Sequence, residues 1–275
     1  MLVTHGIPHP GQVDTLSLPI AIITGGSSGI GLACAGGLAR LGHPLALIAR
    51  DQARLNLASE KLRADGAEVE TIALDVGDAD ASADAIDQLA GRSGPPAWLI
   101  NSAGIAEPGL FLEQPLAAHE AQMRTNYFGS LNLAHATARH MARAGSGRIV
   151  FISSGAGLYG IHGYAAYAPS KFAVRGLAEV LRVELAHHGI SVTIAYPPDT
   201  RTPQLEFEEL TKPEATKRIT AGGGLWEADA VARKIIEGAQ AGRFAVTPGF
   251  PTTAVAVFHS LIGPLLRARQ SRLIR

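Results

Sequence analysis

The stretch YAAYAPSKF, residues 164–172, sets a phenol and an ammonium four residues apart, at Tyr167 and Lys171. On a helix that spacing puts both side chains on one face, one turn apart. An isolated tyrosine titrates at about pH 10, too high for easy proton exchange in neutral solution. A neighbouring ammonium favours the phenolate and lowers that pKa, so the pair reads as an acid–base device. Pro169 between them is tolerated only in a first helical turn or at a kink, which places the pair at a helix start. Tyr159 and Tyr164 have Gly163 and Ala168 four residues on, so neither is paired with a lysine in this way.

Two other polar positions stand where chemistry is done. RIVFISSGAG ends an apolar run in Ser153 and Ser154. A serine at a strand tip can hydrogen-bond a carbonyl and set its oxygen beside the tyrosine; the alternative is that both serines only end the strand and cap the loop. Asn126, in RTNYFG, falls inside a long helical pattern, where asparagine is a mediocre former. Either it is a solvated helix position, or it kinks the helix and holds a water behind the lysine.

ITGGSSGIGLA, residues 23–33, follows an apolar run and opens a helical one. Gly25, Gly29 and Gly31 form a G-x-x-x-G-x-G turn, which lets a pyrophosphate lie against backbone N–H groups at a helix N-terminus. Ser27 and Ser28 add hydroxyl donors, and Ile30 carries the turn into the helix. An NAD site usually places an acidic residue at the end of the second strand to hold the ribose hydroxyls. Here IARDQ puts Ala49 at that place and Arg50 after it. A guanidinium there suits a 2′-phosphate, so NADPH is expected over NADH. The alternative for Arg50 is a solvated surface arginine. Asp51 is expected to cap the next helix.

These groups must be held by a frame. Strands are predicted at 20–24, 44–49, 68–76, 97–104, 148–154, 191–197 and 244–248. Helices are predicted near 30–41, 51–65, 79–91, 115–144, 164–188 and 227–241. Apolar strands alternating with helices specify an α/β fold: one doubly wound parallel sheet of about seven strands with helices on both faces. The 275 residues suffice for one large core. Balanced charge, 24 basic against 24 acidic residues, gives nucleic acid no basic face to bind. The single cysteine, Cys34, cannot form an internal disulfide, in keeping with a reducing, cytoplasmic setting. Residues 1–18 read as a flexible leader without the features of a secretory signal, and no apolar run is long enough to span a bilayer. No metal-ligand pattern is present.

TGGSSGIG, NSAG, Asn126, the Ser153–Ser154 pair and YAPSK, in this order, resemble the short-chain dehydrogenase/reductase superfamily over roughly residues 19–248. The resemblance implies a Rossmann-type catalytic domain over 19–250 that binds NADPH or NADP+. It makes Ser154 the carbonyl-orienting serine, Tyr167 the proton donor, Lys171 its activator and ribose ligand, and Asn126 the anchor of a proton relay. Asp75 and Val76 would flank the adenine, and Asn101, Ala103 and Gly104 would line the cofactor's middle. Ser102 stands where a second asparagine is more usual. A dimer or tetramer built on the long helices is also implied.

AYPPDTRTP, residues 195–203, carries Pro198 where the superfamily usually has glycine. With TKPEATKRI at 211–219, it is similar to the 3-ketodihydrosphingosine reductase group. That resemblance implies a long-chain lipid ketone as substrate and puts Pro197, Thr200 and Thr202 on the nicotinamide side. The charged insertion 199–224 becomes the substrate loop. Leu158, Tyr159, Ile161, Leu205, Phe207 and Leu210 could line an apolar groove, or simply pack a flap on the domain. The substrate amine calls for a carboxylate, with Asp199, Glu206, Glu208 and Glu209 equally placed. The tail, 251–275, is apolar and then basic, fit for a membrane surface, for the domain or for a partner subunit. Pro264 is expected to interrupt it. Two other readings stay open: a reductase of another hydrophobic ketone or 3-oxoacyl thioester, and a non-catalytic NADP(H)-sensing binding protein.

Overall fold

The computed structural model describes residues 18–221 and 224–274, without the side chains at 250–252, 254, 257, 259 and 260. The expected leader therefore lies, but for Leu18, outside the described residues. Four apolar residues, β1 (Ala21–Thr24), lead through the glycine turn into α1 (Gly29–Arg40). The alternation then runs β2 (Leu45–Ala49), α2 (Gln52–Ala64), β3 (Val69–Ala73), α3 (Ala79–Ser93) and β4 (Trp98–Asn101). The helices α4 (Leu116–Met123) and α5 (Gly129–Ala144) precede β5 (Gly147–Ile152), and α6 (Tyr167–Glu184) precedes β6 (Ile190–Ala195). Asp51 and Asp78 accept the Arg54 and Ala81 N–H groups at 3.0 Å, so α2 and α3 start on side-chain caps.

Beyond β6 lie β7 (Thr200–Arg201), α7 (Pro203–Thr211), α8 (Glu214–Thr220), β8 (Trp226–Glu227), α9 (Ala228–Gln240), β9 (Ala245–Val246) and α10 (Phe250–Leu273). Seven strands form one parallel sheet in the order β3-β2-β1-β4-β5-β6-β9, and β7 pairs with β8 in a separate ribbon. The order reverses between β1 and β4, and such a switch point opens a crevice at the carboxyl ends of the strands. Each strand alternates its apolar side chains between two cores. Ile22, Leu99 and Phe151 face Ile86, Leu133 and Val174 of α3, α5 and α6. Ile23, Leu47 and Ile100 face Leu38, Leu55 and Ile235 of α1, α2 and α9. Cys34 is buried in this second core, and burial pushes its thiol up to about 12, so it is an inert packing group.

Three expectations are corrected. The helix expected over 115–144 is interrupted by a π-helical turn, Arg124–Phe128, centred on Asn126. The insertion at 199–224 is not an open loop: Thr202 accepts the Leu205 N–H and starts α7, so the segment folds into helices that pack on the domain. Pro264 does not interrupt the tail. It lies inside a continuous α10, where it removes one backbone donor from a helix otherwise long enough to bridge the gap.

Candidate active site

The carboxyl edge of the sheet opens into one cavity of about 970 Å³ that runs from the glycine turn to the tail. Gly25 has φ +65°, and a Cβ there would lie 2.9 Å from the Ala103 nitrogen and from the Ser102 backbone. The opposing loop is held by the β1 terminus: Thr24 Oγ1 accepts the Ser102 and Ala103 N–H groups at 3.0 Å. A side chain at Gly31 would run into the Gly25 carbonyl oxygen, so the turn closes on itself only with glycine at both places. Ser27, Ser28, Gly29 and Ile30 line the cavity at the first turn of α1. Ser28 is the N-cap residue, yet its hydroxyl makes no capping bond, so hydroxyl and helix N–H groups are offered together. That cradle fits a dinucleotide's phosphates.

The wing of the cavity beyond β2 is formed by Arg50, Arg54, Asp75 and Val76. Arg50 is exposed at the end of β2. Arg54, which the sequence reading did not single out, lies one turn on and pairs with Asp51 at 3.5 Å. Its place in the first turn of the helix that follows Arg50 was the available signal. Two guanidiniums on one rim fit a 2′-phosphate. Asp75 accepts the Gly77 N–H at 2.9 Å and faces Arg124 at 3.6 Å, and Val76 packs beneath. Ala103 and Gly104 line the middle of the cavity, and Pro197, Thr200 and Thr202 its other wall. Thr202 sits over Gly29, and Thr200 donates to the Pro198 carbonyl at 2.8 Å. Two expected cofactor residues are not on this wall. Gly31 lies behind the turn, and Asn101 is buried under the strand tips with its amide atoms unpaired among the described residues.

Tyr167 is the first residue of α6, so Pro169 falls in the first turn, where its missing N–H costs nothing. Tyr167, Lys171 and Ser154 all face the cavity. Lys171 Nζ lies 5.5 Å from the centroid of the Tyr167 ring and donates to the Ile152 carbonyl at 3.0 Å. Ser154 accepts the Ala156 N–H at 3.2 Å, and its hydroxyl is near enough to Tyr167 to act on the phenol's pKa. Its neighbour Ser153 also lines the cavity, with its hydroxyl donating to the Lys171 carbonyl at 3.3 Å. The net shift of the tyrosine runs opposite to the one expected from the ammonium. Burial pushes the Tyr167 phenol up, the Glu208 carboxylate adds to this, and the Ser154 hydrogen bond offsets part. Burial brings Lys171 down to about 8.

Asn126 lies behind this group, fully buried rather than solvated. Its Oδ1 accepts the Ile105 N–H at 2.8 Å, and its amide donates to the Ile105 carbonyl at 3.0 Å and to Ser170 Oγ at 2.9 Å. A Cβ on Gly104 would lie 3.1 Å from Asn126 Oδ1 and 3.5 Å from Lys171 Nζ, so the glycine marks the gap between them.

Opposite the tyrosine, Leu158, Tyr159, Ile161, Leu205 and Phe207 line the cavity, joined by Ile219 of α8 and Val255 and Leu266 of α10. Leu210 points to solvent instead. The end of α10 is pinned across this region: Gln270 accepts the His162 N–H at 2.8 Å and donates to the Gly160 carbonyl at 3.0 Å. Of the four candidate carboxylates, Asp199 and Glu208 line the cavity, while Glu206 and Glu209 are exposed outside it. The competing tyrosine, Tyr164, donates its hydroxyl to Glu208 Oε2 at 2.9 Å and is thereby occupied.

Residues 19–212 match the short chain dehydrogenase family. The chain is 39% identical over 228 residues to the 3-dehydrosphinganine reductase of Danio rerio, covering 81% of this chain and 69% of the relative. It resembles the solved short-chain dehydrogenase from Sphingobium yanoikuyae in complex with NADPH, with a TM-score of 0.77 and 30% identity over 93% of this chain and 95% of that one. A short-chain dehydrogenase/reductase from Burkholderia phymatum in complex with NAD matches with a TM-score of 0.80 and 26% identity, over 90% and 94% of the two chains. With its glycine turn, its sheet order and its Ser154, Tyr167 and Lys171 on one cavity, the chain belongs to the short chain dehydrogenase family, whose members are oxidoreductases.

Proposed function

We propose that this chain is an NADPH-dependent reductase of a long-chain lipid ketone, 3-ketodihydrosphingosine, which it converts to dihydrosphingosine. The observation that carries the reading is the shared cavity: the phosphate cradle and two arginines at one end, an apolar wall at the other, and Tyr167 between them. The likeness to a 3-dehydrosphinganine reductase supports the substrate.

NADPH, when bound, supplies a hydride to the carbonyl carbon. Gly25, Ser27, Ser28, Gly29 and Ile30 hold its phosphates, with Gly31 shaping the turn. Arg50 and Arg54 hold the 2′-phosphate. Asp75, Val76, Ala103 and Gly104 flank its adenine and middle, with Asn101 buried behind that wall, and Pro197, Thr200 and Thr202 face the nicotinamide side. The Ser154 and Tyr167 hydroxyls hydrogen-bond the ketone oxygen and polarise it. Tyr167 gives its proton to that oxygen as the alcohol forms. Its raised pKa keeps the phenol protonated at neutral pH, the state that a donor needs. Lys171 offsets the phenolate left behind and holds the cofactor's ribose. Asn126 anchors the path by which the proton is replaced.

The apolar wall and α10 take the alkyl chain. Leu261 and Leu265 are exposed on the outer face of α10, with Arg267 and Arg272 following, so the tail rests on a membrane surface and the chain works from the cytoplasm. Among the described residues no helix is long and apolar enough to cross a membrane. Phe172, Val180 and Val183 form an exposed apolar stripe on α6 that a second copy of the chain covers, to be checked by sedimentation. The activity test is NADPH oxidation with 3-ketodihydrosphingosine in detergent micelles beside a 3-oxoacyl thioester. Turnover of the sphingoid ketone carries the reading; turnover of the thioester alone overturns it.

A further inference from the structure

A buried carboxylate needs donors or a cation, because burial alone disfavours its charge. Glu208 is 8% exposed on α7 and opens onto the catalytic cavity. Two neutral donors fix it: the Tyr164 hydroxyl reaches Oε2 at 2.9 Å, and the Gln204 amide reaches Oε1 at 3.1 Å. A carboxylate can accept about four hydrogen bonds, so capacity remains. No salt bridge holds Glu208 among the described residues. Lys212, whose charge reaches both Glu208 and Asp199, has its ammonium bonded to Glu209 at 2.5 Å, off the cavity wall. Lys171 is turned to the Ile152 carbonyl, and Arg269 lies on the side of Tyr159. Lys212 and Lys171 thus lie within electrostatic reach of this wall, but among the described residues no cation makes a direct bond to Asp199 or Glu208.

The position matters as much as the charge. The Tyr164 ring lies 5.6 Å, centroid to centroid, from the Tyr167 ring. The carboxylate is thus one aromatic ring away from the proton donor. We propose that Glu208, positioned by Tyr164 and Gln204, is the subsite for a primary ammonium on the carbon next to the reacting carbonyl. This rests on the reading above and names the residue that receives the substrate's amine. With the ketone oxygen on Ser154 and Tyr167, the adjacent ammonium faces Glu208 and makes a charge-assisted hydrogen bond. Asp199 adds a second negative charge to the same wall. The field of Glu208 also holds the Tyr167 proton more tightly, and a bound ammonium cancels that field. An amine-bearing substrate then meets a more acidic donor than an amine-free one does.

The test compares kcat/KM for 3-ketodihydrosphingosine, its N-acetyl derivative and the same ketone without the amine. The wild-type chain prefers the free amine by about tenfold to a hundredfold, and Glu208→Gln, which keeps an acceptor for Tyr164, reduces that preference to near unity. A preference unchanged in Glu208→Gln, or abolished by Asp199→Asn instead, overturns the assignment while leaving the reductase reading intact. If the wild-type chain turns over only amine-free ketones, the substrate reading itself fails. A measurement without any variant guards against misfolding: dihydrosphingosine inhibits the wild-type enzyme at least about tenfold better than its N-acetyl form. Equal inhibition also overturns the assignment.

Discussion

Lys171 holds its ammonium 5.5 Å from the centre of the Tyr167 ring while bonding the Ile152 carbonyl at the tip of β5. The lysine is thus anchored to the sheet, and the phenol is free to point into the cavity. Tyr167→Phe keeps the ring and removes the proton. Its kcat is expected to fall by roughly a hundredfold to ten-thousandfold with NADPH binding retained. Single-turnover rates and cofactor fluorescence titration check both halves.

Burial brings Lys171 down to about 8, well below an ordinary lysine. The group is charged below that pH and neutral above it. Because the charged form is the one that steadies a phenolate, kcat/KM should be level below about pH 8 and fall as pH rises through it. A descending limb that starts only near the ordinary lysine value of about 10 contradicts this account.

Arg50 and Arg54 share the rim where a 2′-phosphate fits. Both are solvent-exposed, so each contributes modestly. The double substitution Arg50→Ala with Arg54→Ala should lower the NADPH-over-NADH ratio of kcat/KM by about tenfold or more. Equal losses with both cofactors count against the assignment.

At Gly31 the added methyl of alanine meets the Gly25 carbonyl, a backbone atom that cannot swing aside. Gly31→Ala should lower stability by about 1–3 kcal/mol and weaken NADPH binding, because relief requires opening the phosphate turn. Denaturant titration with and without NADPH measures both.

Gln270 joins α10 to the backbone of residues 160 and 162 through two hydrogen bonds. Gln270→Ala frees the end of the helix, and each lost bond is worth about 1 kcal/mol. The KM for a long-chain ketone should rise several-fold while that for NADPH stays constant. A change in the NADPH constant alone would show that α10 serves the cofactor end instead.

Local pattern made much of this site legible. The alternation of apolar strands with helices specifies the parallel sheet, since only such a sheet buries strands on both faces. Glycines at 25, 29 and 31 and the spacing of Tyr167 and Lys171 are properties of one turn and one helix, readable without long-range contacts. The cap on α2 by Asp51 is likewise local. The continuity of α10 through Pro264 was not legible, because proline's cost is set locally and its compensation is spread over the whole helix.

By itself, then, the sequence determined the fold class, the glycine turn and the pairing of Tyr167 with Lys171 at a helix start, because each rests on residues close together in the chain. Tertiary structure alone decided the rest. It put Glu208 and Asp199 into the cavity and left Glu206 and Glu209 outside, since the three glutamates differ only in which way α7 is packed and Asp199 is placed by the turn that leads into β7. It set Asn101 and Gly31 behind the cavity wall and brought Arg54 onto it. It also reversed the expected shift of Tyr167, because burial depends on every element that closes over the ring, whereas helical spacing reports only its nearest neighbour.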